Sequence, residues 1–124
     1  NDPKRLDDAK DLQEIYEKFE LEKQFLADYT SVNKRVRKNI MVMLTRLYVT
    51  DDPTQIDATH NSKINSLGFP IYHMETADGY RLYYAYSKTS AKPIHILCHC
   101  IKSKEAVYFN KMKNSETFKK KFRN

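Results

Sequence analysis

The sequence predicts an α+β fold, an antiparallel β-sheet with an N-terminal helical hairpin on one face and a short C-terminal helix. Three observations support this prediction. A helical apolar period precedes residue 50, two β-prone segments follow within residues 80–101, and Asp78-Gly79 before them marks a tight turn. A chain of 124 residues has the size of one domain with one core, so we expect residues 1–124 to form a single domain.

The first residues predict an amphipathic helix. Apolar residues recur at helical spacing from Leu6 to Ile15, so residues 1–15 form a predicted helical extension of the domain. The alternation over Tyr16–Leu21 fits a short strand, and a helix that continues to Tyr29 fits it as well.

Two helices are predicted before residue 50. The shorter one spans Glu22–Tyr29. The longer one carries a buried stripe at i, i+4, i+7, i+8 and i+11 and ends at Asp51-Asp52-Pro53. The stripe consists of Val36, Ile40, Met43, Leu44 and Leu47.

Four cations stand at the start of the longer helix, namely Lys34, Arg35, Arg37 and Lys38. Positive charge at a helix N-terminus opposes the helix dipole, so this cluster does not serve helix stability. Two interpretations stay open, an ordinary solvated surface and a contact with RNA phosphates.

The rest of the chain predicts a three-stranded antiparallel meander. Its strands are Phe69–Glu75, Tyr80–Ser87 and Ile94–Ile101, and a short helix over 103–112 and a basic tail over 113–124 follow. The segment before the meander, residues 53–68, is interpreted as a polar connection with His60 on the surface.

Alternation in the last strand predicts which side chains share a face of the sheet. One face, interpreted as the core face, takes Ile94, Ile96, Cys98 and Cys100. The opposite face takes His95, Leu97, His99 and Ile101.

Charge is distributed unevenly along the chain. The net charge is +6, but residues 1–30 hold 5 basic and 9 acidic side chains, whereas residues 102–124 hold 8 basic and 2 acidic ones. This asymmetry predicts an anionic partner for the C-terminal part, nucleic acid ahead of membrane. We find no apolar run long enough to span a bilayer and no signal-peptide pattern, and the cysteine usage favours a reducing, cytoplasmic setting.

The segment Gly79-Tyr80-Arg81-Leu82-Tyr83-Tyr84, followed after a second strand by Lys102, Lys104, Val107 and Tyr108, resembles the C-terminal half of bacterial RelE-type toxins of the RelE/ParE superfamily. The resemblance covers roughly residues 64–112 and extends more loosely over 16–50. Those toxins are small mRNA endonucleases, most of which cut within the ribosome. In that family a strand precedes the helical hairpin, which favours the strand near Tyr16–Leu21.

The resemblance implies a RelE-like fold and a ribosome-dependent, metal-independent mRNA endonuclease, the toxin half of a toxin–antitoxin pair. The expected partners are mRNA, the ribosome and a cognate antitoxin protein, and no cofactor is expected. Two alternatives stay open: a ParE-like inhibitor of DNA gyrase that cleaves nothing, and a non-catalytic RNA-binding module on the same fold.

RNA cleavage without a metal needs a base for the 2′-hydroxyl, charge stabilisation at the phosphorane and neutralisation of the leaving 5′-oxygen. Arg81 matches the family's arginine and is predicted to clamp the phosphate, unless it forms a structural ion pair with Asp78 or Glu75. Lys102 stands where the family has its final-strand arginine. By the same resemblance Lys104 is a phosphate contact.

Tyr108 is predicted to stack on a base, or alternatively to pack on the sheet as a structural residue. Lys111, on the same predicted helix, is assigned as a further phosphate contact.

The general base is less well defined by the sequence. The strand positions that carry lysines in RelE are Tyr72 and Met74 here, and neither side chain can replace a lysine. His73 and Glu75 lie one residue away. His99 is therefore predicted as the base, because an imidazole titrates near neutral pH and relatives of this fold use a histidine at that end of the sheet. A zinc site at Cys98-His99-Cys100 is disfavoured, because successive strand residues point to opposite faces.

Overall fold

The computed structural model describes residues 18–56, 59–62, 70–88 and 91–114. Within these residues the chain forms five strands and three α-helices: β1 Phe19–Leu21, α1 Lys23–Ser31, α2 Lys34–Val49, β2 His60–Asn61, β3 Tyr72–Glu75, β4 Tyr80–Tyr86, β5 Ile94–Ile101 and α3 Glu105–Lys113. The predicted extension over residues 1–15 and almost all of the basic tail lie outside the described residues.

The five described strands form one mixed sheet in the order β1-β5-β4-β3-β2. The predicted antiparallel meander of β3, β4 and β5 is confirmed. The prediction of a wholly antiparallel sheet is wrong at one edge, where β1 pairs with β5 in parallel, Phe19 opposite Ile94. Parallel pairing is possible there because both helices and the meander separate β1 from β5, so no short hairpin constrains their directions.

Most predicted elements agree with the structure within a few residues. The exception is β2, which falls inside the segment predicted to be a polar connection. Its two residues pair with β3, His60 opposite His73 and Asn61 opposite Tyr72. A two-residue polar strand shows no alternation of apolar and polar residues, so its pattern could not reveal it.

Helix α2 begins where Asn33 caps it, its side chain accepting a hydrogen bond from the Val36 amide at 2.9 Å. The predicted stripe is buried except at Met43, which is half-buried, while Met41 is buried instead. Helix α2 thus presents one apolar face to the sheet, and its opposite face is exposed.

Each face of the sheet has its own core. The first core joins α1 and α2 to the sheet through Phe19, Leu21, Phe25, Val36, Ile40, Met41, Leu44, Leu47, Ile56, Met74, Leu82, Tyr84, Ile94 and Ile96. The second core joins α3 to the opposite face through Ile71, Tyr83, Ala85, Leu97, Cys98, Cys100, Phe109 and Met112. A sheet with helices on both faces must bury side chains in both directions, which explains why β5 is buried along all but its last residue.

A β-bulge in β5 changes which of its side chains face each core. Tyr83 pairs with Cys98 and Tyr84 with Ile96, so Leu97 is the extra residue. The predicted shared face is therefore wrong: Ile94 and Ile96 belong to the first core, whereas Cys98 and Cys100 belong to the second.

Candidate functional site

The hairpin between β3 and β4 places Arg81 opposite Glu75. Asp78 and Gly79 both have positive φ, 66° and 77°, and the Thr76 amide donates to the Tyr80 carbonyl at 2.8 Å. A carboxylate-bearing residue and glycine tolerate this backbone conformation better than most residues. The turn fixes the register, so Glu75 and Arg81 are direct partners across the two strands.

Two carboxylates lie beside the Arg81 guanidinium. Its Nη2 is 3.5 Å from Oε1 of Glu75, and its Nη1 is 3.9 Å from Oε2 of Glu105 at the start of α3. The Arg81 side chain is only 19% exposed, whereas that of Glu75 is 66% exposed. The predicted alternative of an ion pair with Glu75 is thus present, while Asp78 pairs with Arg35.

Tyr83 connects Arg81 to α3. Its phenol donates a short hydrogen bond to Oε2 of Glu105, and its ring meets Phe109 edge-on with centroids 5.3 Å apart. Burial, and then the bond to Glu105, raise the pKa of Tyr83 well above its ordinary value. The phenol therefore remains a hydrogen-bond donor at neutral pH.

His73 lies on the same face as Arg81, because its partner across the strands is Tyr83. Its Nδ1 is 2.6 Å from the Ser62 hydroxyl, and its ring lies 5.5 Å from the rings of both Tyr83 and His60. Burial, followed by the positive charge of Arg81, lowers the pKa of His73. The imidazole is therefore neutral at pH 7.

We refer to Arg81, Glu75, Glu105, Tyr83 and His73 as the Arg81 cluster. It combines a cation able to bind two phosphate oxygens, an exposed carboxylate able to accept a proton, and a neutral imidazole. Glu75 and His73 were not chosen as site residues from the sequence. The signal was available, because a turn at residues 77–79 already implies that positions 75 and 81 pair.

His99 is separated from this cluster. It pairs with Leu82 and lies on the face of the first core, whereas Arg81 pairs with Cys100. Its Nε2 is 2.8 Å from the Thr76 hydroxyl, its ring stacks on Tyr80 at 4.8 Å, and it is 2% exposed. Burial lowers its pKa to about 4. The structure therefore does not bring the predicted base together with Arg81.

The predicted lysines lie at the surface. Lys102 and Lys104 occupy a short 3-10 turn after β5, at the end of the sheet where β4 begins, and both are exposed. Lys111 is exposed on α3. Together with Arg81 these side chains place positive charge at one end of the sheet and along the outer side of α3.

Tyr108 is oriented toward α1. Its hydroxyl donates to Oδ1 of Asp28 at 3.3 Å, and its ring packs against the second core. Burial and the nearby Asp28 raise the pKa of Tyr108 to about 12. The predicted packing alternative thus describes the position of this residue, although its half-buried ring retains some exposed surface.

Asp28 is a buried carboxylate that the sequence did not single out. β1 pairs with β5 only as far as Ile96, and beyond that point Asp28 accepts a hydrogen bond from the His99 amide at 2.9 Å. Gln24 donates to it as well, at 2.9 Å. Asp28 therefore gives a hydrogen-bond partner to a buried backbone amide of β5 at the edge of the sheet where β1 no longer pairs with it.

The cations at the start of α2 lie near the β3–β4 turn. Arg35 pairs with Asp78 at 2.6 Å, Lys34 and Lys38 are exposed, and Arg37 is half-buried. This contact brings the start of α2 to the same end of the sheet as Arg81. The cations and the cluster lie on opposite faces of the sheet, so an anionic chain contacting both would pass around its end.

Both cysteines are buried free thiols in the second core. Among the described residues, no group of three or more His, Cys, Asp and Glu side chains is placed to hold a metal ion. Of the helices in this part of the chain, none is long and apolar enough to cross a lipid bilayer.

Comparison of the chain with protein-family models, with curated proteins and with solved structures finds no match.

Proposed function

We propose that this protein is a metal-independent endoribonuclease that cleaves mRNA on the ribosome and is the toxin of a toxin–antitoxin pair. The observation that carries the proposal is the pairing of Arg81 with Glu75 across β3 and β4, at 3.5 Å. This pairing brings a phosphate-binding cation and an exposed base together on a rigid hairpin. The order of elements, a strand, two helices, an antiparallel meander and a C-terminal helix, agrees with the order that the RelE resemblance implies.

In the proposed reaction, Glu75 accepts the proton of the 2′-hydroxyl as that oxygen attacks the adjacent phosphorus. Arg81 binds the phosphate oxygens of the phosphorane, and the Lys102 ammonium gives a proton to the departing 5′-oxygen. The products are a 2′,3′-cyclic phosphate and a 5′-hydroxyl. Glu75 replaces His99 as the proposed base, since His99 is buried on the other face of the sheet.

The proposed finer architecture is RelE-like. A hairpin of α1 and α2 would cover one face of the sheet, and the antitoxin would bind the basic surface or displace α3. The partners of this proposal are mRNA, the ribosome and the antitoxin, in the cytoplasm.

The test is primer extension on a reporter mRNA in a translating extract, with and without ribosomes. We expect cuts with the wild-type protein, and a loss of at least about 100-fold in Arg81→Ala and Glu75→Gln, because each removes an interaction needed in the transition state. Arg81→Lys retains the charge without the bidentate geometry, so its cleavage activity should lie between that of the wild type and that of Arg81→Ala. Lys88→Ala, an exposed cation at the other end of β4, is the matched control and should cleave normally.

Intact mRNA from folded wild-type protein would overturn the nuclease proposal. If cuts persist without ribosomes, the assignment as a nuclease stands and the proposed dependence on the ribosome fails. If DNA breaks accumulate in expressing cells while mRNA stays intact, the ParE-like alternative takes its place.

One observation favours the alternative of a non-catalytic RNA-binding module. The predicted base His99 is buried on the opposite face of the sheet from Arg81, so the base that the resemblance favours is absent from the cluster. In that case Arg81→Ala weakens RNA binding, measured by fluorescence anisotropy, and the wild-type protein gives no cleavage product.

A further inference from the structure

His60 carries the only exposed aromatic ring among the residues that the structure describes. The Phe and Tyr side chains of this part of the chain, and its other imidazoles, are buried or half-buried. Tyr108, the ring that the sequence predicted for base stacking, is half-buried and donates a hydrogen bond to Asp28. A ring must expose one of its faces to stack on a nucleobase. Of the described rings, His60 is therefore the one best placed to do so.

Pairing at the edge of the sheet fixes the position of His60. Its partner across β2 and β3 is His73, and the Ser62 amide donates to the Ile71 carbonyl at 2.8 Å, which holds β2 against β3. The centroid of the His60 ring lies 5.5 Å from that of His73, and the two ring planes are 33° apart. The ring of His60 thus has an aromatic neighbour inside the protein, while the residue itself remains exposed.

A row of rings runs from His60 across the sheet to α3. The His73 ring lies 5.5 Å from that of Tyr83, and its Nδ1 is 2.6 Å from the Ser62 hydroxyl. Tyr83 in turn meets Phe109 edge-on at 5.3 Å. These contacts restrict His73, so His60 packs against a fixed neighbour. A platform that is ordered before it binds loses less conformational entropy when a base stacks on it.

His60 and Arg81 lie on the same face of the sheet. His73 and Glu75 are two residues apart on β3, so their side chains point to the same face. Their partners across the strands are His60 and Arg81, respectively. With strands about 4.8 Å apart and a rise of about 3.3 Å per residue, the backbone of His60 is about 8 Å from that of Glu75. A phosphate bound by Arg81 therefore brings the base of a neighbouring nucleotide within reach of His60.

We propose that His60 stacks on the base of the nucleotide next to the phosphate that Arg81 binds, and thereby positions single-stranded RNA on the Arg81 cluster. Histidine rings are among those on which unpaired RNA bases stack. This inference rests on the proposed function in one respect, that the ligand of the cluster is RNA, and it does not require cleavage. The imidazole contacts a base and no reacting atom, so His60 is a binding residue.

Fluorescence anisotropy with a short single-stranded RNA, and with a strand of the same length that lacks the bases, tests the stacking. His60→Ala should bind the RNA at least about fivefold more weakly than the wild type, because it loses the stacked ring. His60→Phe keeps a ring and should retain the affinity. The wild type and His60→Ala should bind the abasic strand equally. Asn61→Ala is the matched control, since it changes an exposed side chain on the next residue, which points to the opposite face of the sheet.

Salt dependence separates stacking from a contact between a protonated imidazole and a phosphate. Stacking releases no counterion, so the slope of log affinity against log salt should be the same in His60→Ala and in the wild type. The loss of one phosphate contact would make that slope shallower by about 0.7. A shallower slope, or a loss of affinity in His60→Phe equal to that in His60→Ala, would overturn the stacking. An equal loss in Asn61→Ala would overturn it as well.

The binding and cleavage assays distinguish a failure of this proposal from a failure of the nuclease. If His60→Ala binds RNA as tightly as the wild type, the stacking fails, and the cleavage assay with Arg81→Ala still decides the nuclease. If His60→Ala binds more weakly in the expected manner while the wild type cleaves nothing, the stacking stands and the nuclease fails. A folded wild-type protein that binds no single-stranded RNA would overturn the stacking and remove RNA as the ligand of the cluster.

Discussion

At the scale of single residues, burial fixes the protonation of the groups around the second core. Tyr83 stays protonated and His73 neutral, so the Arg81 guanidinium and its two carboxylate neighbours carry the charge of the cluster. The cluster thus holds one positive and two negative charges. Whether Arg81 binds phosphate depends on how strongly Glu105 competes for it.

Glu105→Gln should strengthen RNA binding. The substitution removes the charge 3.9 Å from Arg81, while the amide oxygen still accepts the Tyr83 hydrogen bond. Surface-type ion pairs contribute about 0.5 kcal/mol, so we expect roughly twofold tighter binding in anisotropy titrations. Tyr83→Phe is the control, since it removes the hydrogen bond but keeps the carboxylate. Unchanged affinity in Glu105→Gln would show that Glu105 does not compete with RNA.

Asp28 predicts a pH dependence of stability. Burial raises its pKa above the ordinary value of 3.8, despite three hydrogen bonds that favour the charged form. The folded state therefore binds this proton more tightly than the unfolded state, and the free energy of unfolding falls as the pH rises through the raised pKa. Asp28→Asn replaces this carboxyl with an amide that does not titrate, so the variant does not lose stability through this group as the pH rises.

Urea unfolding of Asp28→Asn and of the wild type at pH 4 and pH 7 measures the effect. The stability of the variant relative to the wild type should increase between pH 4 and pH 7. A difference independent of pH would contradict the raised pKa. Asp51→Asn, at an exposed carboxylate after α2, is the control.

At the scale of elements, the bulge at Leu97 decides which side chains of β5 meet Arg81. Before it, side chains at even positions face the first core. After it, the even positions Cys98 and Cys100 face the second core. The same step places His99 against Thr76 and Tyr80, away from the Arg81 cluster. The single extra residue at the bulge therefore places the predicted base, His99, on the opposite face of the sheet from the predicted phosphate clamp, Arg81.

Asn33→Ala should destabilise the domain by about 1 kcal/mol, because it removes the cap that satisfies the Val36 amide. Thermal unfolding followed by circular dichroism measures this loss. Asn33→Asp keeps an acceptor and should retain most of the stability, which makes it the matched control. Equal losses in both variants would show that the cap is not the source of the effect.

At the scale of the whole molecule, positive charge collects at one end of the sheet. The Arg35–Asp78 pair brings the start of α2 to the β3–β4 turn, and Lys102 and Lys104 follow β5 at the same end. These cations come from segments far apart in the sequence. Their proximity supports an anionic ligand that passes around the end of the sheet.

Lys34→Gln combined with Lys38→Gln tests this path. If both side chains contact phosphates of a single strand, the slope of log affinity against log salt should become shallower by about 1.4, since each contact contributes about 0.7. Anisotropy titrations between 50 and 200 mM salt give the slope. Lys88→Gln, at the other end of the sheet, should leave it unchanged, and an unchanged slope in the double variant would remove these lysines from the RNA surface.

The sequence by itself determined the α+β class, the helix with the apolar stripe from Val36 to Leu47 that ends before Asp51, the three strands of the meander and the turn at Asp78-Gly79. Each of these depends on interactions close in sequence, such as helical periodicity and turn conformation, so local patterns were sufficient. The Glu75–Arg81 pairing follows from the same turn, because a turn at residues 77–79 sets which residues of the two flanking strands lie opposite each other.

Only the tertiary structure decided the parallel β1–β5 pair, the strand at His60–Asn61, the bulge at Leu97 and the burial of Asp28 at the open edge of β5. These features arise from contacts between segments far apart in the chain, where the need to fill two cores and to satisfy buried backbone groups outweighs the local pattern. A strand's alternation states which residues share a face only while its register is unbroken, and the register of β5 changes next to Tyr83.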